Sequence, residues 1–142
     1  MDLGLDAERT PLQRAHAAAV VILLDTNALI WVEQAHPRAR ELASGDKQLY
    51  ISPASLLELQ ILMESGRVRL RGASVSDLAR HPRWLLDDPP AAAWFDRALE
   101  LGWTRDPFDR LLVAHARMRR WRLATSDTQL LDRLSERERL AL

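Results

Sequence analysis

The chain has 142 residues, 47% of them apolar and 28% charged, which suits one compact domain with a single core and argues against disorder. Twenty acidic residues balance twenty basic ones, so no global field advertises a nucleic-acid partner. With no cysteine there is no disulfide framework, no thiolate metal site and no cysteine nucleophile.

The first nineteen residues, MDLGLDAERTPLQRAHAAA, carry Asp2, Asp6 and Glu8 early. They lack a positive start followed by an apolar stretch, so they read as an extension over 1–19 ahead of a domain over 20–142, and not as a signal peptide. No apolar run approaches the ~20 residues needed to span a bilayer, and a cytoplasmic protein without a membrane partner is expected. VVILL (20–24) reads as a fully buried strand, short, continuous and β-branched at its start. A short helix is predicted over 26–35, broken near Pro37, and another over 38–44, stopped by Gly45.

QLYIS (48–52) is a second strand, after which Ser52 caps a helix with Pro53 in its first position and Gly66 at its end. RVRLRG (67–72) alternates basic and apolar residues and fits a short edge strand or an extended loop. A helix is predicted over 74–80, then a proline-rich connection, HPRWLLDDPP, then a helix over 91–102. Asp106 and Pro107 open a further helix through DRLLVAHARMRRW. RLATSD (122–127) is a short strand leading into a helix at whose start Ser126 and Gln129 have capping-box spacing. Strands alternate with helices, which predicts an α/β fold with a parallel sheet covered on both faces.

Ligands of open parallel sheets bind outside the carboxyl ends of the strands. Asp25 directly follows the first strand and Asp127 directly follows RLAT. Glu58 lies one to two turns into the helix after the second strand, and Asp109 in the first turn of another. Each has a structural reading. Asp106 before proline is a good helix cap, Asp109 and Asp127 could serve helix starts, and Glu58 could be solvated. Glu58, though, lies among Leu56, Leu57, Leu59, Ile61 and Leu62, where a carboxylate wants a partner or the edge of a site. No capping argument predicts all four acids at strand-to-helix junctions. Carboxylates drawn within ~4–6 Å of one another repel unless a cation intervenes, and hard divalent cations take such oxygen ligands. An open acidic site of this kind suits metal-assisted phosphodiester hydrolysis.

The segments LLDTNALIW, SPASLLELQIL, TRDPFDRLLVAHA and LATSD run in this order over most of residues 20–132. Together they resemble the PIN domain, and within it the VapC-type toxins of bacterial toxin–antitoxin pairs. DPFDRLL with an upstream DTNALIW is a specific combination, whereas an isolated TSD carries no information. The family's four acids fall on Asp25, Glu58, Asp109 and Asp127. Asp106 is an extra ligand or a cap, and Thr26, Asn27 and Ser126 match polar positions that orient the ligands or their waters.

The resemblance implies a PIN-like α/β/α sandwich with a central parallel β-sheet. It further implies an endoribonuclease using Mg²⁺ or Mn²⁺, usually a homodimer and silenced by a cognate antitoxin protein. Asp25, Glu58, Asp109 and Asp127 would be both metal ligands and catalytic residues, with water attacking phosphorus in line and no covalent intermediate. The departures are the N-terminal extension and the short charged end LSERERLAL, which leaves a final family strand in question.

Other residues carry weaker signals. His16, His36, His81 and His115 show no metal-ligand spacing, and His115 suits packing or the surface. The five tryptophans could stack on bases, but Trp31 and Trp94 fall within apolar helical patterns. Arg117, Arg119, Arg120 and Arg122 could form a phosphate stripe or simply a solvated face, and Arg110 could pair with a site carboxylate. An aspartyl phosphatase would want a second aspartate at position 27, which is Asn, and a receiver would want a lysine after a later strand, whereas the only lysine is Lys47. No P-loop or GxGxxG is present. The non-enzymatic alternative is a degenerate RNA- or protein-binding module, against which the retention of all four acids argues.

Overall fold

The computed structural model describes residues 20–72 and 74–142, so the expected extension over 1–19 lies outside the described residues. In chain order, β1 (Val20–Leu24) is followed by α1 (Thr26–Glu33), a 3-10 helix (Pro37–Ala43), β2 (Lys47–Ile51), α2 (Pro53–Glu64) and α3 (Val75–Ala79). Then come β3 (Trp84–Leu86), α4 (Ala91–Leu99), α5 (Pro107–Arg119), β4 (Arg122–Thr125), α6 (Thr128–Arg133) and β5 (Arg139–Ala141). The strands form one sheet ordered β3-β2-β1-β4-β5, parallel throughout. This is the α/β architecture expected.

β1 lies at the centre because it is apolar on both faces. Ile22 and Leu24 enter one core with Leu29, Val32, Leu42, Ile51, Leu59 and Trp84. Leu23 points the other way, into a core with Trp94, Leu112, Val113, Leu123 and Leu130. A strand buried on both sides has no polar face to alternate with, so its continuous apolar run is the pattern that burial demands.

Helix starts follow the side-chain chemistry. Ser52 accepts from Ala54 N ahead of Pro53, and Asp106 accepts from Phe108 N and Asp109 N ahead of Pro107. The start of α6 departs from expectation: Asp127, one residue past Ser126, is the cap, accepting from Gln129 N and Leu130 N. The 67–72 segment takes the second of its two expected forms, a loop. Among local differences, α4 stops at Leu99, and the proline-rich connection contains β3. The charged C-terminal stretch does form a strand, β5, paired with β4.

Candidate active site

Parallel strands all end at the same edge of a sheet, so residues that follow them share a neighbourhood. Asp25 follows β1, and its N–H donates to Ala124 O of the adjacent β4 at 3.1 Å. Asp127 follows β4. Glu58 comes from α2 and Asp109 from α5. A cleft of about 360 Å³ is lined by Asp25, Glu58 and Asp127, with Thr26, Asn27 and Ser126, and is walled by Ile30, Leu62 and Val68. Asp109 is outside this lining, but it is acted on by the charges of Asp106, Asp127, Glu58 and Asp25. The four acids found in the sequence therefore share one electrostatic neighbourhood.

Asp25 is only 6% exposed. Burial raises its pKa to about 6, against the hydrogen bonds from Thr125 and Ala28 N, and the charges of Glu58 and Asp127 add to the rise. Burial likewise raises Glu58, opposed by a hydrogen bond from Thr26, with the Asp106 charge adding. Asp109 is pushed up to about 7, first by burial and then by four neighbouring carboxylates. The charges acting on these three groups are other carboxylates.

Capping and a place in the site prove compatible. Asp25 Oδ1 accepts from Ala28 N at 2.7 Å, and Asp127 Oδ1 from Gln129 N at 2.8 Å and Leu130 N at 3.2 Å. In each, capping is done by one oxygen of a two-oxygen group. Asp109 is not a cap at all. That role belongs to Asp106, whose Oδ1 takes Phe108 N and Asp109 N at 2.8 and 3.2 Å.

The supporting residues tie the elements together. Thr26 Oγ1 lies 3.2 Å from Ser55 Oγ, and Asn27 Nδ2 donates to Ser126 Oγ at 3.3 Å, joining α1 to the end of β4. Thr125 and Ser55 are both fully buried, and neither stood out in the sequence. The available signal was a hydroxyl in an otherwise apolar strand or helix, which must find a partner when buried.

Several candidates are engaged elsewhere. Arg110 pairs with no site carboxylate; its Nε donates to Thr104 O at 2.7 Å and its Nη1 to Ala98 O at 3.4 Å. The arginine stripe is broken up, Arg117 bonding Glu138 and Arg119 bonding Asp87. Lys47 is held by Asp46, Ser44 and Glu41 O. His115 is completely buried, with Nε2 2.7 Å from Asp87 Oδ2. Trp94 is buried, Trp31 stacks on His36, and Trp121 stacks on Tyr50.

The donor set consists of carboxylate oxygens, which suits a hard divalent cation such as Mg²⁺ or Mn²⁺. Buried acids with raised pKa values and only like charges acting on them are a site that a cation would relieve. Among the described residues, no three such groups yet stand close enough together to clasp one ion. The acids are near enough to repel and are not drawn to a point.

The family model for the PIN domain matches residues 22–136. Among solved structures, a toxin–antitoxin complex from Klebsiella pneumoniae aligns with a TM-score of 0.61 at 17% identity, over 84% of this chain and 96% of that one. VapBC2 from Rickettsia felis, bound to a DNA fragment from its promoter, aligns with a TM-score of 0.60 at 17% identity, over 87% of this chain and 99% of that one. At that identity the likeness is one of fold. No curated protein matches the chain.

Proposed function

The chain belongs to the PIN domain family, and from that premise we propose that it is a divalent-metal-dependent endoribonuclease, the VapC-type toxin of a toxin–antitoxin pair. PIN domains are generally nucleases. The observation that carries the reading is the gathering of Asp25, Glu58, Asp109 and Asp127, from four different elements, into one neighbourhood where burial and nearby carboxylates disfavour the charges of Asp25, Glu58 and Asp109. The two structural neighbours are toxin–antitoxin assemblies, which supports an antitoxin partner and a toxin's role. A cytoplasmic location and a homodimer complete the reading.

In this reading Asp25, Glu58, Asp109 and Asp127 hold Mg²⁺ or Mn²⁺. When bound, such an ion acidifies water and offsets the charge that builds on a phosphodiester as it is hydrolysed. The chain's own residues fix the carboxylates. Ala28 N and Thr125 lock Asp25, Gln129 N and Leu130 N lock Asp127, and Thr26 steadies Glu58. Asn27 and Ser126 close the rim between α1 and β4. Asp106 fixes the start of α5 and so the place of Asp109, while its charge raises Asp109 further. Ile30, Leu62 and Val68 supply apolar wall, which lowers the local dielectric and strengthens each charge interaction.

Purified protein should cut single-stranded or looped RNA with Mn²⁺ or Mg²⁺, and Asp25→Asn should reduce the rate by at least ~100-fold, the usual scale for removing one group that stabilises developing charge. EDTA should stop the wild type. Equal cutting by both proteins in EDTA would overturn the assignment.

A further inference from the structure

Resting on the ribonuclease reading, we infer that Ile30, Leu62 and Val68 form an aliphatic shelf that takes the face of an unpaired RNA base beside the acids. All three line the same cleft of about 360 Å³ as Asp25, Glu58 and Asp127. That volume lies within the range of roughly 300–1,000 Å³ in which small-molecule sites fall. The helices that form it change character over one turn. On α1, Thr26 and Asn27 are followed by Ile30, and on α2 Glu58 is followed by Leu62. Spacings of three or four residues share a helix face. Each helix therefore puts a polar group into the cleft and an aliphatic one a turn further along, about 5.4 Å away.

The shelf is held in place at both ends. Thr26 joins the two helices at the polar level, with Oγ1 3.2 Å from Ser55 Oγ and a hydrogen bond to Glu58. Val68 closes the apolar end. Arg67 N and Val68 N donate to Leu62 O at 2.9 and 3.4 Å, so the chain leaving α2 folds back onto the residue that lines the cleft. Ile30 is buried, whereas Leu62 and Val68 are half-buried. Both pack against the core that holds Leu29 and Leu59. Packing accounts for that side of each. It does not account for the apolar surface they leave in a cleft shared with carboxylates, where contact with water is unfavourable until something covers it.

The chemistry selects the occupant. A phosphodiester seated at the acids carries its base one ribose away, a reach comparable to one helical turn. Phosphate and ribose are polar, so the base is the part of the chain with an apolar face to lay on the shelf. Aliphatic side chains have no hydrogen-bonding atom, so the shelf registers that a base is present without reading which one. A base stacked and paired in a duplex has no free face to offer, which confines the subsite to single strands and loops.

The test uses the full chain carrying Asp25→Asn in Mg²⁺, with two labelled probes. One is a single-stranded oligouridine, the other a ribose–phosphate oligomer of the same length without bases. Both carry the same phosphates, so the ratio of their affinities is free of the backbone contribution and should hold nearly constant across salt concentrations. Oligouridine should bind about tenfold more tightly, the equivalent of covering roughly 50 Å² of apolar surface. Val68→Thr, which keeps the side chain's size and adds a hydroxyl, should cut that ratio at least ~threefold and leave the affinity for the baseless probe unchanged. Val68→Met, longer and still apolar, should keep the ratio. Leu99→Thr, at an exposed apolar position on α4 outside the cleft, should change neither affinity. Equal binding of the two probes by the parent overturns the shelf, as does binding of neither. Equal weakening of both probes by Val68→Thr also overturns it, since a structural disturbance acts on both. If the ratio and its loss in Val68→Thr are seen but the wild type never cuts RNA with Mn²⁺, the shelf stands and the ribonuclease reading falls. If the wild type cuts RNA while the two probes bind alike, the ribonuclease reading stands and the shelf falls.

Discussion

Asp109 is the residue at which helix capping and site chemistry separate. Asp106 takes the cap bonds, and Asp109 is left with a pKa near 7, raised by burial and by the carboxylates around it. An acid whose folded pKa lies above its unfolded value of about 3.8 binds more protons when folded. Its favourable contribution is therefore complete below pH ~3.8 and is lost as pH rises through about 7. Asp109→Asn removes this titration. The metal-free variant should be more stable than the wild type near pH 8, by about 1 kcal/mol, since partial exposure screens the full linkage value. The gap should close toward pH ~4. Mn²⁺ should raise the wild-type Tm more than that of the variant. Melts in EDTA and in Mn²⁺ across this range check the sign; a variant less stable at pH ~8 with an undiminished Mn²⁺ response would make Asp109 a structural residue only. The four acids were readable because each stands where an apolar strand or helix changes character. Thr125 and Ser55 were not, because a hydroxyl inside an apolar segment reveals its partner only once other elements pack against it.

At the scale of elements, α5 is fastened to the end of β3 by one carboxylate. Asp87 Oδ2 lies 2.7 Å from His115 Nε2 and 2.8 Å from Arg119 Nε. Burial lowers the His115 pKa, so near neutral pH the ring is uncharged and donates to Asp87 through Nε2. Asp87→Ala strands that buried donor and should cost about 1–3 kcal/mol. Asp87→Asn, which keeps an acceptor, should cost less. Urea unfolding of the two variants measures the difference, and equal small losses would show that the bond to His115 contributes little. β3 itself was illegible in the sequence. Only Trp84 of its three residues is buried, Leu85 and Leu86 are exposed at the sheet's edge, and prolines follow closely. β5 is likewise three residues long and lacks a buried one. Such edge strands exist because β2 and β4 offer unpaired backbone groups, a tertiary cause with little local trace. β1 is the opposite case: its apolar run marks a strand whose last three residues are buried on both faces, although Val20 at its start is exposed, so the strand is not fully buried as expected.

For the whole molecule, the alternation of strands and helices sufficed to give a parallel α/β sheet, while the order β3-β2-β1-β4-β5 came from packing. The PIN match begins at residue 22, close to the start of β1 at Val20. Deleting residues 1–18 should accordingly leave a single cooperative unfolding transition with a Tm within ~2 °C of the full chain, and cleavage intact. Calorimetry of the two proteins would decide it, and loss of cooperativity would show that the segment packs as part of the fold.

The central position of β1 also governs when the protein becomes itself. Leu23 pairs on one side with Tyr50 and on the other with Leu123, a hundred residues later in the chain. Closing so long a loop is slow, because the entropy is lost before the contacts form. During synthesis Asp25 and Glu58 leave the ribosome before Asp127 and the strand that precedes it. No nascent chain stalled before Arg122 can assemble the acid cleft. On the ribonuclease reading proposed above, the cleft therefore stays incomplete until the strand beginning at Arg122 has been made.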